Sequence, residues 1–316
     1  MKKVIQPYLI MINMKEFPNI DFALDNKKYF DPKTNKFPYT EDTDKHYLEV
    51  KKDDGTKFDG SYPYVDKSKK FLRKKWWIFL LIRLIVSPLV YIRLGLKIKG
   101  RKNLKKYKDV ISKGVLSAAN HVHMWDYLSI LTAIRPIKSY ILSWNKNISG
   151  ENGFLIRMVG GIPIPDSSDF VATLKFTKAI RDVLNSGGWL HLYPEGSMWE
   201  YYAPIRPFKR GSAAFAIQFD KPIIPMGFSY RKPSWIRRKI FGQIALYTLS
   251  IGEPVYVNKE LPRDQQEEDL VSRVHDEICR LANIDPIKNI YPKIFDNSKR
   301  IDYYTDTYGV NYKGSH

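Results

Sequence analysis

The sequence predicts an α/β fold: a single mixed, mostly parallel sheet flanked by helices, preceded by an N-terminal helical element. Three observations lead there. From Leu96 onward, short apolar runs alternate with stretches whose apolar residues recur at helical spacing, the pattern of strands joined by crossover helices. Hydrophobic residues make up 44% of the 316 and aromatic residues 14%, enough for a large core and unlike a disordered chain. An abrupt change of character at Lys74-Lys75-Trp76-Trp77 follows a polar leading segment and precedes the residues able to form that core.

Four segments follow: an irregular extension over 1–70, a helical element over 71–95, the α/β domain over 96–285 and a polar tail over 286–316. The extension is rich in Lys, Asp and Tyr, is punctuated by Pro18, Pro32, Pro38 and Pro63, and shows no sustained period of 3.6 or 2, a poor basis for a separate core. Its start, Met1-Lys2-Lys3-Val4-Ile5, is basic, but the apolar run is short and no small-residue cleavage site follows, so no signal peptide is expected.

Within the domain, Gly114 to Ala119 reads as a buried strand running into His121, and Tyr127 to Ile134 as a helix. Ser139 to Leu142 is a strand and Phe154 to Val159 a short helix. Ser167 or Ser168 can cap a helix whose apolar face holds Phe170, Val171, Leu174, Ala179, Ile180, Val183 and Leu184, ending at Gly187-Gly188. Trp189 to Tyr193, Ile223 to Phe228, Ile244 to Ile251 and Val255 to Val257 read as strands, with helices over Gly211 to Phe219 and Glu267 to Leu281.

The stretch Lys74-Lys75-Trp76-Trp77 to Arg93-Leu94 is the most apolar of the chain. A spanning helix needs about 20 apolar residues. Arg83 divides this run and Pro88 breaks its second half, which leaves uncharged pieces too short to span. Paired tryptophans beside lysines suit an interface, with rings at headgroup depth and ammonium groups at the phosphates. A two-helix membrane-docking element bent at Pro88 is expected.

Lys and Arg number 52 against 33 Asp and Glu, a formal net charge of +19. This balance points to an anionic partner, either nucleic acid, an acidic membrane or a phosphate-bearing substrate. No RNA- or DNA-binding signature accompanies the charge, so nucleic acid is not expected and residues 74–94 are matched to an anionic membrane surface. The lone cysteine, Cys279, excludes an intrachain disulfide and fits a reducing, cytoplasmic setting.

His121 and Asp126 are the candidate catalytic pair. A neutral imidazole can take a proton from a hydroxyl at physiological pH, and a carboxylate on its other ring nitrogen fixes the tautomer and stabilises the imidazolium. Residues five apart do not face each other along a helix. His121 is therefore expected on the strand-to-helix turn, with Asp126 reaching back from the first helical turn, at the C-terminal edge of a strand. A satisfied histidine beside a capping aspartate is the structural alternative. His123 adds a metal reading, but an H-x-H-x-D-H pattern would need Asp and His where Trp125 and Asp126 stand, and no His/Cys cluster supplies further ligands.

His121-x-x-x-x-Asp126, then Gly160-Gly161-Ile162-Pro163-Ile164-Pro165-Asp166, then Tyr193-Pro194-Glu195-Gly196-Ser197, then Lys221-Pro222-Ile223-Ile224-Pro225 form an ordered set. It resembles the glycerolipid acyltransferase family, which includes glycerol-3-phosphate, 1-acylglycerol-3-phosphate and other lysophospholipid acyltransferases. The resemblance runs from about Leu96 to Leu281. It implies that a fatty acyl group passes from acyl-CoA or acyl-carrier protein, as co-substrate and without a further cofactor, to a lysolipid hydroxyl. His121 would act as general base, with Glu195, Gly196 and Ser197 at the acceptor. It also implies membrane association, with the cytoplasmic face expected.

Two departures bear on the acceptor. Met198-Trp199 follow Ser197, and Asp166 ends the second block, where the family commonly carries phosphate-binding arginines. Arg157, Arg206, Lys209 and Arg210 are the candidate replacements, since guanidinium and ammonium groups suit phosphate. Lys209-Arg210-Gly211-Ser212 opens a helix, a further place for anionic groups. The acceptor is expected to be 1-acylglycerol-3-phosphate or, if no cation replaces the arginines, a glycolipid or amine. Trp235-Ile236-Arg237-Arg238-Lys239 interleaves aromatic and basic residues, as either a solvated loop or a contact to lipid headgroups. A basic membrane-binding protein without catalysis is the rival reading.

Overall fold

A computed structural model describes residues 50 and 53–284, apart from 136, 138, 167, 200–204, 232, 242 and 244. Most of the expected extension, up to 49, and the polar tail from 286 lie outside the described residues. The chain runs through α1 (Lys69–Leu81), a π-helical turn (Ile82–Val86) and α2 (Ser87–Arg93), then β1 (Lys97–Lys99), α3 (Arg101–Lys106), α4 (Lys108–Ile111) and β2 (Val115–Ala119). It continues with α5 (Asp126–Ile134), β3 (Ser139–Ser143), α6 (Asn145–Ser149), α7 (Gly153–Met158), β4 (Gly161–Pro163), α8 (Phe170–Asn185) and β5 (Trp189–Leu192). The last elements are α9 (Gly211–Phe219), β6 (Ile223–Arg231), α10 (Trp235–Phe241), β7 (Leu246–Ile251) and α11 (Arg263–Leu281).

The strands form one seven-stranded sheet in the order β1-β7-β6-β2-β5-β3-β4. Every pairing is parallel except β6 with β7. The C-terminal ends of β2, β5 and β6 therefore share an edge with the start of β7 and with the end of α2, where Tyr247 N donates to Leu94 O at 2.9 Å. β2, between β5 and β6, is buried along its whole length, which explains its unbroken apolar sequence. Pro225 fits within β6 because β7 begins to pair one residue later, at Met226, so its missing N–H costs no ladder bond. β1 and β4 complete the edges; at three residues each they carry too little alternation to be read as strands.

Several expectations are corrected. Pro88 does not split the N-terminal element: the helix runs unbroken from Lys69 to Arg93, 25 residues. Proline lacks the N–H that would bond to Leu84, and a π turn takes up the change, with Ser87 N–H bonded to Ile82 O. By length and composition this helix is apolar enough to cross a membrane. Helix α8 is capped by Asp169, whose side chain accepts from Ala172 N at 2.9 Å, while Ser168 bonds instead to Asp166. Its buried stripe is Ala172, Phe176, Ile180, Val183 and Leu184; Phe170, Val171 and Leu174 are exposed. The stretch Val255 to Val257 makes one bridge, Val255 with Ile223, and no strand. Helix α11 begins at Arg263, before the first apolar residue of its periodic stripe.

Ahead of α1, Tyr62 and Tyr64 are buried, and Tyr64 meets Phe176 of α8 edge-on with ring centroids 5.7 Å apart. The N-terminal helix lies along the domain. Ile82, Ser87 and Val90 face inward, and Thr132 Oγ1 of α5 donates to Ser87 Oγ at 3.0 Å. Its outer side shows Trp76, Trp77, Leu84, Ile85, Leu89 and Ile92.

Candidate active site

The C-terminal end of β2 is fixed before the site begins. Asn120 is fully buried and bonds the backbone of β6 twice, donating to Phe228 O at 3.1 Å and accepting from Phe228 N at 2.7 Å. The next residue, His121, leaves the sheet at this edge. Asp126 opens α5, where a carboxylate suits the helix N-terminus, and turns back toward the strand end. Its Oδ2 accepts from Val122 N at 2.7 Å, from His123 N at 2.9 Å and lies 3.1 Å from His121 Nδ1. Asp126 is fully buried and the His121 side chain is 23% exposed.

This geometry decides the tautomer. The carboxylate accepts a hydrogen bond from Nδ1–H, which leaves the lone pair of the neutral ring on Nε2. Tyr193 stacks on the same ring, with centroids 3.8 Å apart and planes 9° from parallel. The His121 imidazole is thus held by a hydrogen bond along its edge and an aromatic plane against its face.

Behind it lies a buried polar layer. His191 of β5 is buried, with Nδ1 2.7 Å from Ser117 Oγ, which also accepts from Trp189 Nε1 at 2.6 Å. Burial, reinforced by nearby His121, lowers the His191 pKa to about 3 and keeps the ring neutral. Burial also raises the Tyr193 phenol well above its ordinary value, with Asp126 adding to the shift. His123 is engaged locally: its Nδ1 accepts from Trp125 N at 3.0 Å.

The turn after β5 brings Glu195 to His121. Glu195 Oε2 accepts from His121 N at 2.9 Å and from Arg206 Nη2 at 3.0 Å, while Oε1 accepts from Arg206 N at 2.8 Å. Arg206 Nη1 donates to Ser197 Oγ at 2.8 Å and its Nη2 to Ser197 O. Glu195 and Arg206 are each 3% exposed. Trp199 N donates to His121 O at 3.1 Å, so the far side of the turn also holds the histidine backbone. Gly196 has φ +82°, and a Cβ there would lie 2.8 Å from Lys209 Cε. That left-handed conformation favours glycine, and the lysine side chain passes close to it.

The structure therefore brings His121, Asp126, Glu195, Gly196, Ser197, Arg206 and Lys209 together. Arg157 lies elsewhere, over the rings of Tyr62 and Phe71 at 5.2 and 5.7 Å. Arg210 is largely exposed, 3.9 Å from Glu267 of α11. Sequence reasoning missed the stacking of Tyr193 and the clamp that Arg206 places on Glu195. The tyrosine sits in the recognised block; the clamp joins residues that no local spacing connects.

A single α/β domain on a mixed, mostly parallel sheet, with an imidazole–carboxylate pair at its strand edge and a Glu-Gly turn beside it, defines the class. Residues 95–229 match the family model described as Acyltransferase. The matched stretch holds the blocks at His121, Gly160, Glu195 and Lys221, so the chain is similar over that stretch to the family its motifs resemble. Among solved structures it is similar to the 1-acyl-sn-glycerophosphate (LPA) acyltransferase PlsC of Thermotoga maritima, at 16% identity and a TM-score of 0.45, over 69% of this chain and 85% of that one. A comparison with curated proteins found no match.

Proposed function

We propose that this acyltransferase moves a fatty acyl group from a thioester, acyl-CoA or acyl-carrier protein, to the hydroxyl of a lysolipid held at a membrane surface. The observation that carries the reading is the His121 Nδ1–Asp126 Oδ2 contact of 3.1 Å, on a carboxylate already fixed by two backbone N–H groups. His121 Nε2 takes the proton of the acceptor hydroxyl as its oxygen attacks the thioester carbonyl. The C–S bond then breaks, the ester forms, and the proton held by His121 passes to the departing thiolate. No protein nucleophile is needed in this sequence.

Support for an anionic acceptor comes from Lys209, whose side chain runs alongside Gly196. Arg206 holds Glu195 and Ser197, and Arg157 and Arg210 lie away from the turn. We favour 1-acylglycerol-3-phosphate, with its phosphate at Lys209. The inner stripe of the N-terminal helix is packed on α5 while its outer side is apolar. That arrangement fits docking on a bilayer face, which we take to be the cytoplasmic one, better than a span surrounded by lipid.

The test is transfer of labelled acyl groups from acyl-CoA and from acyl-carrier protein to lysophosphatidate, glycerol-3-phosphate, zwitterionic lysolipids and glycolipids, with His121→Ala as control. Acylated lysophosphatidate that disappears in the variant is the expected result. Undiminished turnover by folded His121→Ala protein removes the mechanism; product only with uncharged acceptors removes the acceptor assignment.

A further inference from the structure

Helix α10 has no part in acyl transfer as derived above. It joins β6 to β7, so it stands on the sheet edge that carries His121 and Glu195. Four of its residues are large, apolar and turned outward: Trp235 is 69% exposed, Ile236 55%, Ile240 68% and Phe241 56%. Such a cluster on so short a helix marks a contact surface. Lys239 lies over the Trp235 ring, its Nζ 4.8 Å from the centroid.

The helix is fastened in place. Arg237 Nη1 donates to Gln243 Oε1 at 3.1 Å, and Gln243 Nε2 donates to Ile92 O and Arg93 O at 2.7 Å each. Those carbonyls belong to the last turn of α2, which has no helical partner for them. Helix α10 is therefore held beside the last turn of α2, where Leu89 and Ile92 also face outward. Arg93 in turn lies 5.5 Å from the Trp125 ring, on the loop between His121 and Asp126. Apolar side chains beside exposed cations, in a chain of formal charge +19, match an anionic bilayer better than a second copy of the same basic chain.

We propose that α10 is a second membrane contact: Trp235, Ile236, Ile240 and Phe241 enter the outer acyl region of an anionic bilayer, and Lys239 meets its phosphates. With α2 it would seat the His121 edge on the lipid surface. The proposal rests on the lipid-acceptor reading for its purpose, but its test does not depend on turnover.

Cys279 is fully buried, so an Ile236→Cys variant of the full chain takes a single environment-sensitive fluorophore. On vesicles of phosphatidylcholine and phosphatidylglycerol its emission should shift to the blue and rise about twofold, with quenching by brominated acyl chains. The same label at Lys259→Cys should not respond, since Lys259 pairs with Asp220 ahead of β6, at the opposite sheet edge. A water-like Ile236 label on vesicle-bound protein overturns the proposal. So does a label already shielded in a dimer seen by light scattering before lipid is added. The double variant Trp235→Ser/Ile240→Ser should partition about tenfold more weakly while acylating micelle-dispersed acceptor at the wild-type rate; unchanged partition counts against the contact. Failure of wild-type protein to acylate any acceptor would sink the proposed function and leave the fluorescence result to judge α10.

Discussion

At the residue scale, the site removes freedom from one imidazole. Asp126 fixes the edge of His121 and Tyr193 fixes its face, so Nε2 is the atom left to exchange a proton. His121→Ala should abolish transfer, and Asp126→Asn should lower kcat by about 10²- to 10⁴-fold with KM little changed, because the amide cannot stabilise the imidazolium. Steady-state kinetics on folded variants checks both; an unchanged kcat for Asp126→Asn would show the pair to be structural. His191 has the opposite task, to remain neutral. Its folded pKa of about 3 lies below the value of about 6.5 for an unfolded chain. Below that upper value the unfolded state binds a proton the folded state refuses, so stability is lost as pH falls from about 6.5 toward about 3, by up to about 1.4 kcal/mol per pH unit. Thermal unfolding at pH 7 and pH 5 should show a smaller acid loss in His191→Asn than in wild type. Equal losses would mean that His191 is not the group responsible.

At the scale of elements, the turn after β5 and the segment leading into α9 form one clamp around Glu195. Glu195 and Arg206 are almost fully buried and bonded to each other, and removing one partner leaves a buried charge without compensation. Arg206→Ala should destabilise the fold by about 3–5 kcal/mol, whereas Arg206→Met paired with Glu195→Gln should cost less than Arg206→Ala alone. Denaturant midpoints decide this, and a neutral Arg206→Ala would show the clamp to be dispensable. Lys209, just ahead of α9, lies against that turn, with its N–H bonded to Pro194 O at 2.8 Å, and its truncation should raise KM for a phosphate-bearing acceptor about tenfold or more while sparing an uncharged one. Equal KM changes for both would remove Lys209 from the acceptor site. The elements themselves were largely legible. Val115 to Ala119 reads as a buried strand because its neighbours cover it on both faces, and His121 to Asp126 is a local turn whose spacing announces its geometry. Less legible were features settled by distant contacts. Asp169 rather than Ser168 caps α8, a π turn absorbs Pro88, and Arg206 reaches Glu195 across a gap that no periodicity encodes.

For the whole molecule, topology decides what would face a membrane under the proposed function. The antiparallel β6–β7 turn and the end of α2 meet at the edge where β2 and β5 deliver His121 and Glu195. Exposed apolar residues and exposed arginines share that region, among them Ile92, Arg93, Met124 and Trp235. Two forces should then hold the protein on a bilayer, and they respond differently to salt. Attraction of a +19 chain to anionic headgroups is screened as the Debye length falls from about 10 Å at 0.1 M to about 3 Å at 1 M, while apolar insertion is not. Co-sedimentation with anionic vesicles should therefore weaken as salt rises and level off at a residual affinity, the one zwitterionic vesicles show at every salt concentration. Complete release at high salt would make the contact purely electrostatic and leave the exposed tryptophans without a role. Salt-independent binding of equal strength to both vesicle types would mean that the charge is irrelevant to docking and that the apolar side chains of the helices act alone.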